Sequence, residues 1–213
     1  MKTDDLVALL ATGVAPVSPN AARRPLRLAL LIGVPLSLAI WALGFGVRRD
    51  LLQVLDEPMF WVKLAFPLCV ALAAFVVVQR LARPGASVGR AWWGMVVPVV
   101  MVFALALEAW FATPEPERLS SLMGVSWRTC AVSISLIALP IFALALRALQ
   151  RLAPTQPALA GAAAGALAGG LGAAIYALYC VEMDAPFLAV WYVAGMLVPV
   201  VAGGLLGRRL LRW

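Results

Sequence analysis

Histidine is absent from the 213 residues, and charged side chains make up only 13% of them. The first absence removes the commonest general base near neutral pH and the commonest metal ligand. The second sets the chain apart from soluble domains, in which about 25% of residues are charged. No Gly-rich phosphate loop is present, and no serine has a candidate base beside it. The segments between apolar stretches are too short to hold an active-site domain. An enzyme is therefore not expected, nor is a cofactor.

What fills the chain instead is apolar: 64% of residues are hydrophobic. They gather in six stretches, roughly 26–46, 59–79, 91–111, 129–149, 157–180 and 186–207. Each is long enough to cross ~30 Å of hydrocarbon as a helix. They lack the alternation of barrel strands, and only helices or closed barrels satisfy their backbone in lipid. The expected fold is an all-α, polytopic bundle of six transmembrane helices. Its parts are an N-terminal tail (1–25) and a membrane domain (26–213).

Charge orients the bundle. Twelve of the 17 basic residues fall on one side: Lys2, Arg23, Arg24 and Arg27 in the first tail, Arg80, Arg83 and Arg90 in the second loop, Arg147 and Arg151 in the fourth, and Arg208, Arg209 and Arg212 at the end. Arg48, Arg49, Arg118 and Arg128 lie on the other side, and Lys63 lies within the second span. By the positive-inside rule both termini are cytoplasmic. The net charge of +7 is then explained by topology and contact with anionic membrane lipid, with no direct nucleic-acid binding. Arg23 and Arg24 loosely resemble a twin-arginine export signal, but no small-residue cleavage site follows. A retained anchor in a bacterial inner membrane is expected.

The first tail begins with a short helix pattern over residues 1–11. Thr3 can cap it, Asp4 and Asp5 sit at the favourable end of its dipole, and Leu6, Leu9 and Leu10 form an apolar face. Residues 12–20 read as a linker. So short a helix is marginal alone in water and orders against something. Its acidic start disfavours anionic lipid and favours a protein partner over a floppy tail or self-docking.

Within the spans, Lys63 and Glu108 are the ionisable residues. Both fall near the outer interface, where they can pair or snorkel separately. Gly161, Gly165 and Gly169 in the fifth span, and Gly203 and Gly207 in the sixth, allow close helix approach within the chain or across a homodimer. Interior prolines (Pro35, Pro67, Pro98, Pro140, Pro199) are compatible with a transporter, though polar residues at mid-membrane are scarce.

Three cysteines carry the remaining chemistry. Cys69 lies deep in the second span and reads as a packing residue. Cys130 opens the fourth span and Cys180 closes the fifth, which puts both at the outer, oxidising face. Arg128 could lower the Cys130 pKa, and Glu182 and Asp184 could add oxygen ligands for a soft metal. Three readings stand: a structural disulfide, a redox- or metal-sensing thiol pair, and unrelated buried cysteines. A membrane thiol oxidoreductase is a further alternative, but it lacks a Cys-x-x-Cys pair.

Several segments resemble one family. These are Met1-Lys2-Thr3-Asp4-Asp5-Leu6, Phe60-Trp61-Val62-Lys63-Leu64, Ser126-Trp127-Arg128-Thr129-Cys130, and the stretch from Arg151-Leu152-Ala153-Pro154 through Tyr179-Cys180 to Trp191-Tyr192. They are similar to the NrsF-type anti-sigma factors, six-span proteins of proteobacteria. The resemblance implies sequestration of an extracytoplasmic-function sigma factor of the SigF type at the inner membrane. It also implies release under metal or oxidative stress, with Cys130 and Cys180 as the family's paired outer cysteines.

Overall fold

The computed structural model describes residues 3–12, 23–46, 48, 50–83 and 85–212. Of the linker expected over 12–20, residues 13–20 lie outside these residues, as do Met1, Lys2, Arg49 and Trp213. The described chain is helical almost throughout. After α1 (Thr3–Ala11) come α2 (Arg23–Gly44), α3 (Leu51–Val54) and α4 (Pro58–Leu81). A 3₁₀ turn (Gly89–Trp92) leads into α5 (Trp93–Ala112), followed by α6 (Glu115–Met123), α7 (Trp127–Gln150) and α8 (Pro157–Ala177). The chain ends with α9 (Ala185–Phe187), a π-helical turn (Leu188–Tyr192) and α10 (Val193–Leu210).

Six of these segments are long and apolar enough to cross a membrane. They are α2, α4, α5 with its 3₁₀ turn, α6–α7, α8, and α9 through α10. Local chemistry marks their ends. Pro58 and Pro157 open α4 and α8, where a missing N–H costs nothing. Arg80, Arg147, Arg208 and Arg209 sit in last turns, facing the negative end of the helix dipole. Interior prolines remain inside α2, α4, α5, α7 and α10.

The spans alternate in direction, so the bundle has two ends. One carries both tails; the other carries the α2–α4, α5–α7 and α8–α10 connections and is called the far end below. The short helices α3 and α6 lie in far-end connections and were not expected from the sequence. With four and nine residues, they are too short to give a stretch of membrane-crossing hydropathy.

Helix α8 is the centre. It packs on α10, α4 and α7, while α2 lies against α7. In an 18-residue apolar stretch of Pro157–Ala177, 72% of residues are buried, against 11% in that of Gly89–Ala112, so α5 is the peripheral span. The reason is side-chain size. An added Cβ at Gly161 or Gly165 would overlap the carbonyl of Gly203 or Pro199, and one at Gly203 would overlap that of Gly161. On the other sides of α8, a Cβ at Gly170 would come within 2.7 Å of the Pro67 carbonyl oxygen, and one at Gly172 within 2.9 Å of that of Ile134. Glycine on α8 thus lets three neighbours approach backbone to backbone. This α8–α10 contact is made within one chain.

Candidate functional site

The far end holds a buried cluster built by α7, α8 and the start of the last span. Cys130 lies in the first turn of α7, where its N–H donates to the Ser126 carbonyl at 2.9 Å. Cys180 follows the end of α8, its N–H donating to the Tyr176 carbonyl at 3.0 Å. The two side chains are 0% and 2% exposed and share one core with Tyr176, Phe187, Leu188 and Tyr192. They lie within electrostatic reach of each other and of Lys63. Both are free thiols.

Lys63 is the side chain that ties this cluster together. It projects from the first turns of α4 and is fully buried. Its Nζ donates to the carbonyl oxygens of Cys180 at 2.6 Å and Glu182 at 2.7 Å. It also lies 5.6 Å from the centre of the Tyr192 ring, within cation–π range. Burial of an amine is expensive unless its donors are met, and two carbonyls with an aromatic face meet them here. Arg48 approaches the same peptide from outside, its Nη1 donating to the Cys180 carbonyl at 3.2 Å. Two bonds from Arg48 to the Asp50 carboxylate, at 2.5 and 2.8 Å, hold that guanidinium in place. Those bonds lower the Asp50 pKa and raise that of Arg48.

The connection after α8 is anchored a second way. Glu182 Oε1 accepts from the N–H groups of Val125 at 2.7 Å and Ser126 at 3.0 Å, and from Ser126 Oγ at 3.2 Å. The carboxylate thus caps the start of α7, where the helix dipole favours an anion. It lies over Gly124, where an added Cβ would come within 2.7 Å of the carboxylate carbon. Gly124 also has φ of +56°, which favours glycine. Residues 180–182 are therefore fastened to α4 through main-chain carbonyls and to α7 through a side chain.

The π-helical turn shapes the remaining wall. It sends Trp191 Nε1 to the Leu122 carbonyl of α6 at 3.0 Å while Tyr192 enters the core. Tyr192 Oη and Trp41 Nε1 are buried with no hydrogen-bond partner. A π turn places consecutive side chains where a regular helix cannot, and such turns recur at functional sites.

Several residues singled out from the sequence stand elsewhere than expected. Lys63 and Glu108 do not pair: Glu108 is exposed on α5, and Lys63 is held by carbonyls. The sequence could mark Lys63 as out of place but could not show which backbone oxygens it meets. Arg128 is exposed, with its guanidinium 5.0 Å from the Trp127 ring centre, and the buried cation facing Cys130 is Lys63. Cys69 is exposed on the side of α4 rather than packed inside. Asp184 is exposed just before α9, and its pKa is raised by partial desolvation and by the nearby Glu182. Among the described residues no three His, Cys, Asp or Glu side chains form a group able to hold a metal ion. Arg48, Asp50, Gly124 and Tyr192 were missed, since only the folded far end brings them to this cluster.

At the other extreme of the chain, α1 buries nothing. Leu6, Leu9 and Leu10 are 41%, 67% and 67% exposed on one helix face, with Asp4 and Asp5 in the first turn.

Six apolar spans around a glycine-lined central helix define a class, the multi-pass bundle compatible with a membrane. Similarity to known proteins narrows it. Residues 10–213 match the family model described as "NrsF: Negative regulator of sigma F". A "Probable anti-sigma-F factor NrsF" from Azospira oryzae is 39% identical over 213 residues, covering all of both chains. An "Anti-sigma-F factor NrsF" from Caulobacter vibrioides is 40% identical over 223 residues, again covering both completely. No solved structure matches. The chain therefore belongs to the NrsF family of negative regulators of sigma F, a regulatory and non-enzymatic class.

Proposed function

We propose that this chain is a membrane-embedded anti-sigma factor that holds an extracytoplasmic-function sigma factor of the SigF type at the cytoplasmic face. It releases that partner when Cys130 and Cys180, on the periplasmic side, meet an oxidant or a soft metal. The arginine-rich tail end supports N-in, C-in placement in a bacterial inner membrane. Residues 1–25 then form the cytoplasmic binder and 26–213 the membrane domain.

The observation that carries the reading is the coupling of Cys180 to α4. Its side chain shares one buried core with Cys130, and its carbonyl is gripped by Lys63. Disulfide formation would pass two electrons and two protons to the oxidant and draw the two sulfurs into bonding distance. The Cys180 peptide would shift, and with it the Lys63 anchor and the far end of α4. The tail-end terminus of α4 carries Arg80 and leads to the basic second loop. A soft metal held by both thiolates would pull in the same direction, with Glu182 and Asp184 nearby. Arg128 at the surface would draw anionic oxidants.

For sigma binding, Leu6, Leu9 and Leu10 supply the apolar face, and Asp4 and Asp5 supply charge to meet basic side chains, with Thr3 at the helix start. A hundredfold release needs about 3 kcal/mol of differential affinity between two bundle states. The test is the Cys130→Ser, Cys180→Ser double variant in membranes. It should retain the sigma factor and no longer release it on treatment with oxidant or cadmium. Normal release by that variant removes the thiols from the mechanism. Deleting residues 1–11 should free the sigma factor, and undiminished capture would dismiss the tail.

A further inference from the structure

One cavity of about 520 Å³, lined by neither Cys130 nor Cys180, lies on the flank of the bundle. It opens because peripheral α5 packs on α4 but diverges from α8 and α10. Its wall is apolar and includes Val77 and Leu81 of α4, Val96 of α5, Ala163 of α8 and Leu197 of α10. Along α4 it runs from Val70 to Leu81, a rise of about 16 Å. That is about half of a ~30 Å hydrocarbon layer, while on α10 the wall continues to Val193 at the far-end start of that helix, so the groove starts at the tail side and reaches past mid-bundle.

The mouth at the tail end is different in chemistry. Trp92 lines it and stacks on Trp93 with ring centres 4.2 Å apart. Such aromatics settle at the membrane–water boundary. Arg80 and Arg83 flank Leu81, and Arg90 follows Val88, another wall residue. All three arginines are exposed. Arg80 donates to the Val88 carbonyl at 2.8 Å, which fixes the loop beside the opening. Among the described residues, none of the three is ion-paired with a carboxylate.

We infer that this groove is a binding site for one anionic phospholipid of the leaflet facing the tails, its acyl chain between α4, α5, α8 and α10 and its phosphate at Arg83 and Arg90. The inference rests on the membrane placement proposed above. Apolar walls alone select nothing in a bilayer, because lipid tails are as apolar as leucine. Selection falls to the head group, and basic residues at the membrane surface attract anionic lipid. A helix of a second copy, about 10 Å across with its side chains, is the other occupant, and head-group selection by the arginines separates the two. An acyl chain running along α4 matches the groove's length there.

The test is native mass spectrometry of the full chain released from nanodiscs of phosphatidylethanolamine with a minor fraction of phosphatidylglycerol. One phosphatidylglycerol should remain bound per chain. The Arg83→Gln, Arg90→Gln variant should lower its preference over phosphatidylethanolamine by about tenfold; Arg80 stays, since it holds Val88. Val96→Trp should fill the groove from the loosely packed α5 and remove the bound lipid, while circular dichroism shows the helices retained. Equal retention of both lipids by the unmodified chain overturns the inference, as does retention unchanged in both variants. A dimer mass abolished by Val96→Trp would assign the groove to a second copy instead. Sigma-factor capture by the same preparations reads the functional proposal separately. A chain that never enters nanodiscs defeats the membrane reading itself.

Discussion

Lys63 Nζ lies 2.6 Å from the Cys180 carbonyl oxygen, across 117 residues of sequence. The same nitrogen reaches the Glu182 carbonyl at 2.7 Å, so one side chain of α4 fixes the segment that carries a candidate sensing thiol. Replacing Lys63 with Met keeps the apolar stem and strands one carbonyl. Cys180 retains Arg48, but the Glu182 carbonyl loses its lysine. The loss should be about 2 kcal/mol, read as a lowered thermal midpoint in detergent. Cys180 should also become reactive to maleimide, which a purely distant destabilisation would not single out.

Glycines on the α8–α10 seam should divide sharply. Gly165→Leu drives a side chain into the Pro199 carbonyl, and no rotamer avoids the clash because the first carbon already overlaps it. Loss of folded protein, or destabilisation of about 3 kcal/mol or more, is expected. Gly204→Ala has its nearest neighbour at 3.8 Å and should be neutral or slightly stabilising. Size-exclusion profiles and melting curves of the two variants give the comparison.

The three cysteines should react in a fixed order. Cys69 is exposed, whereas Cys130 and Cys180 are 0% and 2% exposed. In detergent, N-ethylmaleimide should modify Cys69 first, with the other two following only as the far end opens. Peptide mass spectrometry over a time course resolves them. Early modification of Cys130 would show that the cluster is open at rest.

Acid should release Arg48 from Asp50. The bond from Arg48 lowers the Asp50 pKa below its ordinary 3.8. The pair's contribution is therefore complete above that value and is lost as pH falls through the lowered one. Because the carboxylate is solvent-exposed, the effect is small. Asp50→Asn should melt below the unmodified chain near neutrality, and the gap should close in strong acid.

The spans could be read because hydrophobic length is a local property: an apolar run of about 20 residues admits few structures in lipid. Helix α8 was legible for the same reason, since glycine spacing along one segment states how close a neighbour can come. Partnership across the bundle could not be read. Lys63 and Glu108 share depth, which suggested a pair, but depth does not give rotation about the helix axis. That rotation turns Lys63 inward and leaves Glu108 exposed. Arg128 failed likewise: two residues along a helix is about 200° around it, so it faces away from Cys130. Glu182 was noticed for its charge, yet its role as a cap depends on Gly124 bringing residues 125 and 126 beneath it.

The near absence of bulk on α8 has a mechanical corollary. Neighbours that touch it through carbonyls and α-carbons have few protruding groups to lodge between. Prying them apart forfeits a broad contact, whereas sliding them lengthwise breaks little interlocking. Widening any of these glycine contacts would therefore open a gap that no neighbouring side chain stands ready to fill.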